Sequence, residues 1–265
     1  MSARTDFGLS PVEGLAMERD GYVVRRQVFN ESEIADMAQH CEQLVADLVR
    51  DRNGKRQTFS GYVFDADVDN AVIIKWEGDT DIVHGLEPFA HLSPPLEAWG
   101  YDRRLVEPMR QILGHHDLEL FTEKLNLKRP FRGGANPLHQ DYPYWTRAAD
   151  EAREVGTTII FLDDATIDNG CLWVVPGSHT SGMWTTRTDG DAFTANEVDE
   201  AAYPDLEVIP VELEAGSTVS FGPFLVHRSA PNTTGHGRRA LLYSYQPAGR
   251  RKQVDNIQIR ARASG

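Results

Sequence analysis

Pro137-Leu138-His139-Gln140-Asp141 is the segment around which the chain organises itself. In an extended stretch, residues two apart project to the same side. His139 and Asp141 would then offer an imidazole and a carboxylate to one point. The surroundings are β-like. From about residue 118, short apolar runs at 118–127, 157–162, 172–175, 206–211, 218–221 and 240–245 alternate with Gly, Pro, Asn and Asp. Many short strands with turn chemistry between them suggest a sandwich or barrel.

The grammar before residue 118 differs. Residues 21–26 read as a short strand. Asn30 then precedes Glu31-Ser32-Glu33, an N-cap residue with Glu at the third helical position. Ile34, Met37, Cys41, Leu44, Val45 and Leu48 follow at helical spacing, which predicts an amphipathic helix over 31–50. Leu105, Met109, Ile112 and Leu113 predict a second helix around 102–113. There is no internal repeat, and no Pro/Ser/Gly linker separates the halves. One domain over 1–265 is expected, with a helical N-terminal part at about 15–115 packed on one outer face of a barrel core at about 118–248. Residues 180–205 are polar and rich in Thr and Asp. So long a connection suggests a lid or an insertion. The tail from 250 to 265 is locally basic and reads as solvated surface.

Composition bounds the partners. Of 265 residues, 40% are hydrophobic and 25% charged, ordinary usage for a soluble globular chain. The net charge of −13 repels phosphate backbones and argues against nucleic acid as a partner. Cys41 and Cys171 make neither a disulfide framework nor a Cys-based zinc site. Residues 1–11 lack the layout of a signal peptide, and no apolar run approaches the ~20 residues of a membrane helix. The expectation is a cytoplasmic protein that acts on a small molecule.

The nine histidines remain to be sorted. A lone His-x-Asp arises by chance in an acidic chain, so its context must decide. Val226-His227 closes the apolar run 218–226, where a ligand would find rigid support. Two histidines and one carboxylate form the facial set that holds non-haem Fe(II) and leaves positions open for substrate and oxygen. Arg238 and Arg239 follow, and an arginine on the next antiparallel strand can clamp a carboxylate bidentately. His179 lies in a Pro-Gly-Ser-His turn, His115 and His116 are adjacent, and His236 sits in a Gly-rich loop. These read as structural or surface residues.

Taken together, Pro137–Asp141, Asn169-Gly170-Cys171-Leu172, Val175-Pro176-Gly177-Ser178-His179 and His227-Arg228-Ser229-Ala230-Pro231-Asn232 followed by Arg238 resemble the phytanoyl-CoA dioxygenase family of Fe(II)/2-oxoglutarate oxygenases. Asp20-Gly21-Tyr22-Val23-Val24 extends the resemblance, which spans about residues 17–246. It implies a double-stranded β-helix core, a cupin-like jelly roll that is mainly β with flanking α-helices. It implies His139, Asp141 and His227 as iron ligands. Arg238, eleven residues after His227, takes the place of the arginine that holds the far carboxylate of 2-oxoglutarate. Arg239 is the adjacent alternative and would face the other way in a strand. Ser229 resembles a hydroxyl partner of the cosubstrate. Lys75, Asn126 and Lys128 resemble polar or cationic positions near it, and Trp145 an aromatic one. Gly216-Ser217 departs from the Gly-Asp common in the family. Because Asp141 fills the position that halogenating relatives give to a small residue, hydroxylation is favoured over halogenation.

The implied activity is an oxidation at an unactivated C–H bond that consumes O2 and releases succinate and CO2. The −13 charge speaks against an acyl-CoA and for a small polar or natural-product-like metabolite. Tyr142-Pro143-Tyr144-Trp145 and residues 180–205 are the expected specificity elements. Glu123 and Asp163 are candidates to meet a cationic group. Two rivals use the same fold: a non-redox cupin-like metalloenzyme and a catalytically silent binding module.

Overall fold

The computed structural model describes residues 7–51, 56–59, 62–67, 69–188 and 194–257. The capping signal at Asn30 is realised. Its Oδ1 accepts from the backbone N–H of Ser32 and Glu33, and Glu33 Oε2 accepts from the Asn30 N–H at 2.9 Å. These bonds satisfy donors that open helices leave orphaned. The helix that follows, α2 (Glu31–Asp51), buries Ile34, Met37, Cys41, Leu44, Val45 and Leu48. A further helix (Arg103–Leu113) is capped by Asp102 and stopped by Gly114 at φ +70°. Two helices join those expected: Pro11–Asp20 and Pro94–Gly100.

The strands form two antiparallel sheets. One has nine strands and runs, in spatial order, β1 (Tyr22–Arg25), β11 (Thr218–Phe221), β8 (Gly156–Phe161), β13 (Arg238–Pro247), β6 (Leu118–Lys128), β5 (Val83–Glu87), β4 (Val72–Trp76), β3 (Tyr62–Asp67) and β2 (Arg56–Phe59). The other runs β10 (Ile209–Val211), β9 (Leu172–Val174), β12 (His227–Ser229) and β7 (Asn136–His139). The two sheets carry the jelly-roll architecture, mainly β with flanking helices. The stretch expected to be helical, about 15–115, is corrected in one respect: it also supplies β2 to β5, which continue the large sheet from β6. Their ladder to β6 is a long-range pairing, through Gly85↔Asn126 and Leu86↔Leu125, and local periodicity does not reveal it.

Period-2 alternation divides the large sheet's faces. On β13, Leu241, Tyr243 and Tyr245 join a core with Met37 and Cys41 of α2, Leu96, Leu105 and Met109. Burial of each such side chain contributes about 2 kcal/mol. Arg238, Ala240, Leu242 and Ser244 point the other way, into a cavity. The same division places Ile160 in the helix-covered core, with Ile159 and Phe161 on the cavity side. The interior of the barrel is therefore walled by alternate residues of β4, β6, β8 and β13.

Candidate functional site

His139 and His227 face each other as paired residues of β7 and β12. Directly opposite residues of an antiparallel pair share a face, so both imidazoles enter the cavity, with ring centroids 4.2 Å apart. Asp141 lies two residues beyond His139, at the start of α5 (Tyr142–Trp145). Its Oδ1 is 3.8 Å from His139 Nε2. Ligand atoms of the three residues all lie within 4.8 Å of one another, and no other such group occurs among the described residues.

Each imidazole is oriented by its own backbone. His139 Nδ1 donates to the Pro137 carbonyl at 2.7 Å, and His227 Nδ1 to the Leu225 carbonyl at 3.0 Å. The proton held on Nδ1 leaves both Nε2 lone pairs free for a metal. Burial, reinforced by the neighbouring His227 ring, pushes His139 down to about 3, so the ring stays neutral. Between the ligands, Gln140 turns away from the cavity. Its Nε2 donates to the Gly182 and Phe224 carbonyls and its Oε1 accepts from Trp184 N–H, which ties β7 to the segment leading into β12.

The cavity beside the triad measures about 370 Å³. Arg238 lines it, is only 5% exposed, and its Nε has no hydrogen-bond partner among the described residues. Burial pushes this guanidinium down to about 10, so it is cationic at neutral pH. Arg239 points to the opposite face, where Asp163 holds it at 2.7 Å, with Glu42 beyond. Ser229 lines the cavity and its Oγ accepts from Asn136 Nδ2 at 3.3 Å. Lys75, Asn126 and Trp145 also line it. Trp145 is half of a core contact as well, edge-on to Phe121.

Lys128 differs from the expectation. It shares a face of β6 with Lys124 and Asn126, but its Nζ donates to the Gly134 carbonyl at 2.7 Å and it does not line the cavity. Gly170 makes room for its stem: at φ +86°, a Cβ there would meet the Ala230 carbonyl at 2.4 Å and Lys128 Cδ at 2.8 Å. Glu123 is buried on the other face of β6, where Oε2 accepts from the backbone N–H of Phe89 and Ala90. Asp163 is engaged by Arg239, so neither acid meets the cavity. His179 packs beneath Gly21, and His115, His116 and His236 lie away from the triad on the surface.

Of the remaining cavity residues, Lys124 and Glu87 carry no sequence signal, whereas Tyr144 and Glu197 belong to the expected specificity elements. Lys124, Glu87, Tyr144 and Glu197 line the cavity, and Tyr144 stands edge-on to His139. Glu197 belongs to the long polar connection, which is not structureless. It bridges to His139, and Val198 N–H donates to the Leu138 carbonyl at 2.8 Å. Trp184 and Tyr203 stack across the same connection. Its residues 189–193 lie outside the described residues, as do Arg260 and Arg262 of the basic tail. Arg250 and Arg251 pair with Glu154 and Asp150.

Two imidazoles, a carboxylate and a buried guanidinium whose Nε has no partner among the described residues fit a divalent metal and a dicarboxylate cosubstrate. A family model described as phytanoyl-CoA dioxygenase matches residues 17–240. L-proline trans-4-hydroxylase of Streptomyces griseoviridis is 30% identical over 158 residues, 53% of this chain and 59% of that one. Phytanoyl-CoA dioxygenase domain-containing protein 1 of Danio rerio is 28% identical over 263 residues, 90% and 86% of the two chains. The match to the proline hydroxylase, like that to a phytanoyl-CoA dioxygenase of Arabidopsis thaliana at 52%, spans little more than half of the relative's length. Among solved structures, EctD from S. alaskensis with 2-oxoglutarate and 5-hydroxyectoine superposes with a TM-score of 0.72 at 21% identity, covering 93% of this chain and 79% of that one. The carbocyclase SnoK from nogalamycin biosynthesis does so with 0.70 at 19%, covering 96% and 90%. No helix among the described residues is long and apolar enough to cross a membrane.

Proposed function

The chain belongs to the phytanoyl-CoA dioxygenase family, and we propose that it is an Fe(II)- and 2-oxoglutarate-dependent oxygenase hydroxylating a C–H bond of a small-molecule metabolite. The observation that carries this reading is the pairing of the His139–Asp141–His227 cluster with Arg238, a buried cation in the same cavity with a hydrogen-bonding group unused. A non-redox metalloenzyme would need the cluster but not the arginine, and a silent binding module would need neither. Relatives with small substrates support the choice: one is a proline hydroxylase and another an ectoine dioxygenase. As one unit of residues 1–265, the protein would work in the cytoplasm, without nucleic acid or membrane.

His139 and His227 would hold iron through Nε2, and Asp141 through a carboxylate oxygen. When bound, iron and 2-oxoglutarate supply the oxidising power, with O2 reduced, the cosubstrate decarboxylated to succinate and CO2, and one oxygen atom delivered to the substrate. Asp141 lowers the net charge of the site. Arg238 would hold the far carboxylate of 2-oxoglutarate through a charge-assisted contact, which would offset part of the cost of burying the guanidinium. Ser229 offers a hydroxyl to the same group, and Asn126 and Lys75 add polar contacts along the wall. Trp145 and Tyr144 close the cavity against water and fix the substrate's approach.

Under Fe(II) and ascorbate, the wild-type chain should consume O2 only when 2-oxoglutarate is present and release succinate. Asp141→Ala should reduce succinate release to background. Full turnover in that variant would sink the ligand assignment, and O2 consumption independent of 2-oxoglutarate would sink the oxygenase reading.

A further inference from the structure

Lys124 is a cationic cavity residue that neither the triad nor the cosubstrate clamp uses. It lies on β6 opposite Leu242, while Arg238 pairs with Lys128 on the same ladder. Four residues of strand, roughly 13 Å, therefore separate the positions of Lys124 and Arg238. The two cations line different parts of one cavity, and Lys124 is the one whose charge is felt at Asp141 and His139. An ammonium has three donors, and Lys124 Nζ has one ion partner among the described residues, Glu87 Oε2 at 3.5 Å. Glu87 is itself divided, since its Oε1 accepts from Thr122 Oγ1 at 2.9 Å. The Lys124 side chain keeps 28% of its surface open, and that surface belongs to the cavity it lines. Burial works to lower its pKa, but the carboxylates of Glu87 and Asp141 outweigh it, and the group stands above the ordinary lysine value. It is a fixed cation beside the metal cluster.

Its surroundings have the shape of a head-group site. Ser244 and Thr157 give the wall a pair of hydroxyl groups bonded to each other at 2.8 Å, and Leu242, Trp145 and Ala148 give apolar groups. Lys75, two strands over, adds a second ammonium to the cavity. Burial and the nearness of Lys124 push it down to about 8.

Resting on the oxygenase reading, we propose that Lys124 is a specificity-determining residue that binds a carboxylate of the substrate. The substrate class is a small organic acid whose carboxylate sits at the Glu87–Lys124 end, with its carbon skeleton laid toward the triad. Glu87 positions the ammonium and competes for it.

The test uses three probes of one skeleton: cyclohexanecarboxylate, its primary amide, and cyclohexylmethylamine. They are titrated calorimetrically into protein saturated with Mn(II) and 2-oxoglutarate without O2, so that Arg238 and the metal are already engaged. The carboxylate should bind about tenfold or more tighter than the amide, the size of a charge-assisted hydrogen bond, and the amine weakest. Lys124→Met should erase the preference, Lys124→Arg should restore much of it, and Glu87→Gln should strengthen carboxylate binding by freeing the ammonium. Equal binding of carboxylate and amide by the wild type, or a preference that survives Lys124→Met, would overturn the proposal, as would weaker carboxylate binding in Glu87→Gln. Failure of the wild type to bind 2-oxoglutarate would instead defeat the oxygenase reading. Lys124 would still be read in metal-free Arg238→Met protein, by the same comparison of carboxylate and amide.

Discussion

Lys128 and Arg238 are paired residues of β6 and β13, both almost wholly buried, so two cations share one poorly hydrated place. Burial, and then Arg238, pushes Lys128 down to about 7. Unfolding restores an ordinary lysine, so between about pH 7 and pH 10.5 the unfolded chain binds a proton that the folded chain lacks. Stability contributed by this site therefore rises with pH across that window, by an amount on the order of a few kcal/mol. Lys128→Met should flatten the rise, measured as the difference in urea midpoint from wild type at pH 6.5, 8 and 9.5. It should cost little at pH 7, where a buried charge is removed along with one hydrogen bond to Gly134. Arg238→Met should raise the KM for 2-oxoglutarate about 100-fold in succinate assays, whereas Arg239→Met, acting on the Asp163 and Glu42 face, should leave that KM within about twofold. At this scale, parity was the legible signal. Arg238 against Arg239 follows from period 2 alone, whereas Asp141 comes to the side of His139 from beyond the end of β7, with helical backbone at the start of α5. Which end of β6 opens onto the cavity does not follow from period 2 either, since Lys124, Asn126 and Lys128 share one parity. Only the turn of the chain at Gly133 and Gly134 draws Lys128 away.

The loop between β12 and β13 shows how an element delivers a residue. Asn232, 3% exposed, donates through Nδ2 to the carbonyls of Lys128, Arg129 and His236. Its Oδ1 accepts from Thr234 N–H and Oγ1. These bonds bind the loop to the end of β6 and set the start of β13, where Arg238 stands. Asn232→Ala would leave several buried carbonyls short of donors, at about 2 kcal/mol. The expected outcome is a lower Tm and a several-fold higher KM for 2-oxoglutarate, with metal affinity unchanged in a competition titration. An equal loss of metal affinity would mean that the loop supports the whole site and not the clamp alone. Elements with local signals were legible: the Asn30 cap, the α2 stripe and six strands after residue 118, but not β7 or β12. His227, expected to close the run 218–226, opens β12 in the other sheet. Strands β2 to β5 were not legible either, because what makes them strands is the edge that β6 offers them. They nevertheless bring Lys75 and Glu87 to the cavity, so part of the site was hidden along with them.

Net charge describes the outside of this molecule better than its interior. The chain carries −13, yet its cavity holds Arg238, Arg228, Lys75 and Lys124 beside Glu87, Asp141 and Glu197, a near balance of charge. A phosphorylated carrier such as CoA would meet the outer field first, and its phosphates would be repelled by the net negative charge of the chain. Thioester formation also removes the carboxylate that Lys124 is proposed to bind. Both effects favour a free acid over its CoA thioester, although the family takes its name from a CoA substrate. Succinate release from 2-oxoglutarate should therefore be stimulated by members of a panel of small organic acids and not by the CoA thioesters of the same acids. For an acid that does stimulate, Lys124→Met should raise its KM by about tenfold or more while leaving the KM for 2-oxoglutarate within about twofold. Salt separates the two effects. Raising ionic strength from about 0.02 M to about 0.3 M shortens the reach of the surface field, so it would weaken the exclusion of a thioester repelled by surface charge. It would do nothing for one rejected because its carboxylate is gone. A thioester that stays inert at high salt thus places the discrimination at Lys124, and one that gains activity with salt places it in the charge of the molecule as a whole.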